Sequence, residues 1–234
     1  MNLFVEKALL SDGWADNVRI TIEEGIITGL NHSPKQALDT EVAIVIPGMT
    51  NVHSHAFQRA FAGLTELKTS NEDNFWSWRE AMYSLLSHLG PDEIEIITQQ
   101  LYVEMLKAGY THVGEFHYIH NDKDGKPYRD HTVMSSSIIN VAIDIGIRIT
   151  HLPVFYAHSG FGGKSPTEGQ KRFLHTPQSF LSLYAELDSY YANHPSVKIG
   201  IAPHSLRAST PDELKELFEN VASTTRIHIH IAEQ

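Results

Sequence analysis

The alternation of apolar and polar positions changes character once along the chain. Over residues 1–46 the period is short: "NLFVEKALL", a turn at Asp12-Gly13, then "NVRITIEEGIITGL", in which Val18, Ile20 and Ile22 alternate with polar residues. Such alternation puts successive side chains on opposite faces of a strand, so a small β-sandwich-like appendage is expected here. From about residue 44, apolar runs of strand length alternate with amphipathic stretches of helical length. "PDEIEIITQQLYVEMLKAGY" opens with Pro91 and two acids, carries Ile94, Ile97, Leu101, Met105 and Leu106 on one stripe, and stops at Gly109. That pattern predicts a helix. Further helices are expected near 132–145, 177–193 and 211–222.

The strands expected between them are 44–47, "THVGEFHY", "IRITHLPVFY", "VKIGIAPH" and "RIHIHIA". Five strands joined by crossovers, mostly through single helices, imply parallel pairing in an α/β layer structure. Polar and aromatic groups gather after the carboxyl ends of these strands: His53, His55, Tyr118, His158, His204, Arg207 and Glu233. Parallel sheets and barrels build their sites at that end. A complete (β/α)8 barrel takes eight strands and about 250 residues. The expectation is therefore an appendage over 1–46 and a partial TIM-type barrel of about five strands over 47–234, with an open sheet as the alternative. Residues 62–90 read as a long connection with helical character. Its Phe75, Trp76 and Trp78 either cover a pocket or pack a connecting helix.

Composition narrows the chemistry. The 234 residues leave room for a sizeable core. Eighteen Lys and Arg against 28 Asp and Glu give a formal charge of −10, which argues against a nucleic-acid surface and supplies no polybasic membrane patch. A small-molecule partner is expected. With no cysteine and 15 histidines, any transition metal must be held by His, Asp or Glu. The N-terminus lacks a basic region followed by a long apolar one, and no apolar run is long enough to span a bilayer, so a cytoplasmic location is expected.

In "VIPGMTNVHSHAFQRAF", His53 and His55 lie two apart. Residues so spaced on a strand point to one side, so the pair is either half of a metal site or two loop histidines. "RIHIHIAEQ" repeats the arrangement: His228 and His230 alternate with isoleucines, and Glu233 follows three residues after His230. A ligand with a carboxylate just beyond it suits metal-assisted hydrolysis, where one group holds the ion while the other moves protons. The alternative is core-facing histidines at a charged strand end. "SGFGGKS" lacks the spacing of a phosphate-binding loop and reads as a flexible pocket loop.

Proline and glycine followed by His-x-His after the first barrel strand, with His-x-x-Glu after the fifth, resembles the amidohydrolase superfamily and its deaminase-like members with one metal. "PGMTNVHSHAFQRAFAGLTE", "FWSWREAMY", "QLYVEMLKAGYTHVGEFHYIH", "SGFGG", "HSLRA" and "HIHIAEQ" together resemble the N-formimino-L-glutamate deiminase family of histidine degradation, from about residue 1 to the end. The resemblance implies His53, His55 and His230 as ligands of one zinc ion, with iron(II) or another divalent metal as the alternative. It implies Glu233 as proton shuttle and Gln58, Tyr118, His204 and Arg207 as substrate-holding residues. The implied reaction converts N-formimino-L-glutamate to N-formyl-L-glutamate and ammonia, in a homodimer.

An arginine suits a glutamate carboxylate through its bidentate fork, while Gln58 and Tyr118 supply neutral hydrogen bonds. On the residues alone, Arg207 also reads as a surface arginine, Tyr118 as core and His204 as a loop cap. His228, one pleat deeper than His230, is expected to fill the barrel, and His112, His117, His120 and His158 stay open. The family's sixth-strand histidine and eighth-strand aspartate have no counterpart before Gln234, so the chain is expected to be the N-terminal portion of a longer enzyme. The rivals are an aromatic-base deaminase or imidazolonepropionase, whose substrates need no Arg207, and a non-catalytic metal-binding module.

Overall fold

The computed structural model describes residues 1–64 and 75–232. Two compact units divide at Met49, Met1–Met49 and Thr50–Gln234. In the first, β1 (Asn2–Leu10), β2 (Gly13–Glu23), β3 (Ile26–His32) and β4 (Thr40–Val45) form a sheet of order β3-β2-β1-β4. Val5, Ala8, Val18 and Ile20 are its buried side chains, with Ile22 packed against them. Among the described residues this unit is one four-stranded sheet and not the pair of facing sheets that a sandwich requires.

The run expected at 44–47 to open the barrel divides differently. Val45 ends β4, which pairs in parallel with β1 through Leu3 opposite Thr40 and Ala8 opposite Val45. Pro47, which has no N–H to donate to a ladder, lies between β4 and the true first barrel strand, β5 (Met49–Ser54).

The second unit continues with α1 (Phe75–Leu86), α2 (Pro91–Lys107), β6 (Tyr110–His117), α3 (Val133–Ile145), β7 (Arg148–Phe155), α4 (Pro177–Tyr191), β8 (Val197–Ile199), β9 (Ala202–Pro203) and α5 (Pro211–Glu219). The four helices α2 to α5 fall where the periodicity put them, for local reasons. Glu93 Oε2 accepts from the Gly90 N–H at 2.7 Å, closing the start of α2. The α4 and α5 starts are Thr-Pro steps in which Thr176 and Thr210 accept from the N–H groups of Ser179 and Glu213. Gly146, with φ of 85°, ends α3 in the left-handed conformation.

The sheet order is β5-β6-β7-β8, with β9 also on β7, and the β6–β7, β7–β8 and β7–β9 pairs are parallel. This is the α/β partial barrel. Its core runs from Ile94 and Tyr102 of α2 through Ile138 and Ile139 of α3 to Phe155 and Phe180. "VKIGIAPH" is two short strands, and "RIHIHIA" is no continuous strand. The latter runs beside β9 through isolated bridges at Ile201–Ile227 and Ser205–His230. At Gly200 a Cβ would come 2.5 Å from the Arg226 carbonyl, so the two segments approach too closely for a side chain there. No described helix is long and apolar enough to cross a membrane.

Candidate metal centre

The turn His53-Ser54-His55-Ala56 lies where β5 passes into a 3₁₀ helix, Ala56–Phe61. The strand stops at Ser54, yet the two rings still converge. His53 Nε2 lies 3.1 Å from His55 Nε2 and 3.2 Å from His230 Nε2. One ligand atom from each of the three histidines falls within a 4.8 Å cluster. Two nitrogens held at about 2.0–2.1 Å by one tetrahedral ion are themselves about 3.3 Å apart, so this donor set fits a divalent transition metal.

The surroundings fix the rings. His55 Nδ1 donates to the Phe116 carbonyl at 2.8 Å, which leaves the Nε2 lone pair for the cluster. The Phe116 ring stacks on His230 with centroids 4.2 Å apart, and also meets His53 and His55. Burial pushes His55 down to about 3, which favours the neutral, ligand-competent imidazole there, and burial also lowers His53 and the neighbouring His204.

The histidines open on a cavity of about 540 Å³ whose lining includes Gln58, Tyr118, His204 and Arg207. Gln58, on the 3₁₀ helix, donates to the Tyr118 hydroxyl at 3.2 Å. That helix is tied to α2 by a bidentate pair, Arg59 Nε and Nη2 on Glu104 at 2.7 and 2.9 Å, which holds the Glu104 carboxyl at about 2. Tyr118 is 5% exposed and follows β6, His204 follows β9, and Arg207 sits in the next turn, 8% exposed. Arg207 is thus no surface arginine. Its Nη1 donates to the Tyr156 hydroxyl at 2.9 Å and to the Ser159 carbonyl at 3.2 Å. Glu233 lies outside the described residues, as do the side chains of Phe75 and Trp76, whereas Trp78 lines the cavity.

Other histidines sort by contact. His112 meets Thr150 Oγ1 at 3.0 Å, His120 the Val154 carbonyl at 3.0 Å and His158 the Glu213 carboxylate at 2.9 Å. His117 is wholly buried, and His228 is half-buried near enough to His53 to depress its charging.

Two participants escaped sequence reading. Tyr156, also hydrogen-bonded by Gln170 Nε2 at 2.7 Å, lines the cavity beside His204; its place after the carboxyl end of β7 was the available signal. Glu115, fully buried, accepts from the Ala56 N–H at 2.6 Å and the Tyr102 hydroxyl at 3.2 Å. Burial raises it to about 7 against those donors and Ser54. A lone glutamate in an apolar run was its trace.

A parallel α/β sheet with histidines converging at its carboxyl edge is the arrangement of a candidate metal site in an α/β-barrel protein. The chain belongs to the amidohydrolase family, whose model matches residues 44–234. A model described as formimidoylglutamate deiminase HutF, N-terminal domain, matches residues 2–34. The formimidoylglutamate deiminase of Pseudomonas aeruginosa is 44% identical over 99% of this chain and 51% of its own length. The crystal structure of an amidohydrolase from Brucella melitensis superposes with TM-score 0.95 at 44% identity, over 100% of this chain and 52% of that one. Atrazine chlorohydrolase from Arthrobacter aurescens, solved with zinc and atraton, shares the fold at TM-score 0.77 and 17% identity, over 98% and 52% of the two chains. The chain spans about half the length of the relatives it matches.

Proposed function

We propose that the complete protein containing this sequence is a formimidoylglutamate deiminase, a cytoplasmic homodimer that hydrolyses N-formimino-L-glutamate in histidine degradation. One observation carries the reading: a single cavity holds both the three-histidine cluster and the buried Arg207 guanidinium. His53, His55 and His230 would hold one zinc ion, with iron(II) or another divalent ion as the alternative. An ion bound there supplies Lewis acidity and lowers the pKa of water towards neutrality.

The chain's own groups do the rest. Glu233 takes a proton from water as a carbon–oxygen bond forms at the formimino carbon and delivers it to the terminal nitrogen, which receives the C=N π electrons; it then relays the adduct's hydroxyl proton to the same nitrogen as the C=O forms. That carbon–nitrogen bond breaks, ammonia leaves and N-formyl-L-glutamate remains. Arg207, oriented by Tyr156 and Ser159, grips a substrate carboxylate. Gln58, Tyr118 and His204 fix the rest of the substrate by hydrogen bonds.

The test is ammonia release from N-formimino-L-glutamate with zinc supplied, measured for the 234-residue chain and for this chain joined to the C-terminal half of the Pseudomonas relative. Turnover in either, abolished by Glu233→Gln, supports the reading. Turnover in neither, with an aromatic base deaminated instead, refutes it.

A further inference from the structure

Glu115 is the one fully buried carboxylate among the described side chains of the second unit, and the mechanism above does not use it. It stands on β6 between two residues that also serve the histidine turn. Gly114 packs against the backbone of Val52, so closely that a Cβ would meet the Val52 carbonyl oxygen at 2.8 Å. Phe116 takes the His55 Nδ1 proton on its carbonyl and lays its ring against His230. Glu115 reaches the same turn with its carboxylate. One oxygen accepts from the N–H of Ala56, the residue after His55, at 2.6 Å, and the other accepts from the Tyr102 hydroxyl of α2 at 3.2 Å.

The Ala56 N–H begins the 3₁₀ helix and has no partner within it. His55 itself has non-helical backbone angles, φ −127° and ψ 89°. The peptide between them therefore sets where the His55 ring points, and the Glu115–Ala56 bond holds that peptide. Tyr102 in turn anchors the carboxylate to α2, where its own ring is wholly buried in the core.

We propose that Glu115 is a positioning residue of the metal centre, its buried carboxylate clamping the His53–Ala56 turn so that the two imidazoles meet the ion in a preset geometry. The proposal rests on the reading of His53, His55 and His230 as ligands. Partners outside the immediate ligands of an ion commonly control its affinity by 10–100-fold, and a clamp on the ligand backbone acts the same way.

The test uses the whole 234-residue chain, zinc dissociation constants by competition with a chromophoric chelator, and the visible spectrum of the cobalt(II)-loaded protein. Glu115→Ala is expected to weaken zinc binding by about 10–100-fold and to alter the cobalt spectrum, while the metal-free protein stays folded by circular dichroism. Glu115→Gln, whose amide oxygen still accepts from Ala56, is expected to recover most of the affinity. Equal loss in both variants, or zinc affinity in Glu115→Ala within about twofold of the parent, overturns the proposal. Should Glu115→Ala not fold, Tyr102→Phe frees the same carboxylate from α2; weaker zinc binding supports the clamp and unchanged binding overturns it. His55→Ala separates the two readings. If it leaves zinc affinity unchanged, the metal-centre reading fails; if it abolishes binding that Glu115→Ala leaves intact, only the clamp fails.

Discussion

Replacing Gly114 by alanine tests whether β5 and β6 must touch for the centre to form. The new Cβ would sit 2.8 Å from the Val52 carbonyl oxygen and 3.2 Å from its carbon. Ordinary carbon–oxygen contacts between strands begin near 3.3 Å, so one backbone must give by about 0.5 Å. Both atoms are backbone, which no rotamer change relieves. Overpacking of this kind costs about 1–3 kcal/mol, and in a chain this size each kcal/mol moves the melting temperature by about 2–4 °C. Thermal unfolding is expected to fall by about 2–12 °C. Because Val52 precedes His53, zinc affinity should fall too, by about 10-fold. Gly29→Ala is the control, since its nearest atom would be Thr21 Cβ at an ordinary 3.5 Å. A Gly114→Ala melt within about 1 °C of the parent, with zinc binding unchanged, would refute the close-approach reasoning.

Arg207→Lys is expected to cost about 1.5–3 kcal/mol of binding to a carboxylate substrate, seen as a rise in KM in steady-state assays, because an ammonium does not reproduce the bidentate fork. His55→Ala should remove the stoichiometric zinc measured by elemental analysis and the rise in melting temperature that added zinc produces. In metal-free protein, His55 and His117 lie at about 3 and His175 at about 4 in the fold, against 6.5 unfolded. The unfolded chain therefore binds more protons below pH 6.5, and urea midpoints should drop as pH falls from 6.5 towards 4. Glu115 works in the other direction: raised to about 7 from 4.5, it stabilises the fold below pH 4.5 and loses that contribution as pH rises through 7. That loss runs from pH 4.5 to 7 and opposes the histidine trend, so Glu115→Gln should steepen the fall of the midpoint on the acid side and leave the alkaline side unchanged.

Local pattern decided a good deal. The helices Pro91–Lys107, Val133–Ile145, Pro177–Tyr191 and Pro211–Glu219 were legible because each carries its own start signal or stop signal and an apolar stripe. The His-x-His pair, the second histidine segment and the arginine of "HSLRA" were legible as residue types suited to a metal and a carboxylate. What local pattern could not decide was partnership. Residues 40–45 are apolar enough for either sheet, and only the open edge of β1 claimed them. "RIHIHIA" has perfect alternation, but a strand is made by neighbours, and among the described residues it forms two isolated bridges beside the short β9.

The same holds at the site. Sequence by itself determined which groups were available: imidazoles, a guanidinium, and no thiolate, because side-chain chemistry travels with the residue. Tertiary structure decided that His230 meets His53 from 177 positions away and that Arg207 is buried against Tyr156. It also put a glutamate from β6 beneath the turn that carries two of the histidines. Distances between segments far apart in the chain are set by how strands pair and helices pack, and no local run of residues encodes them.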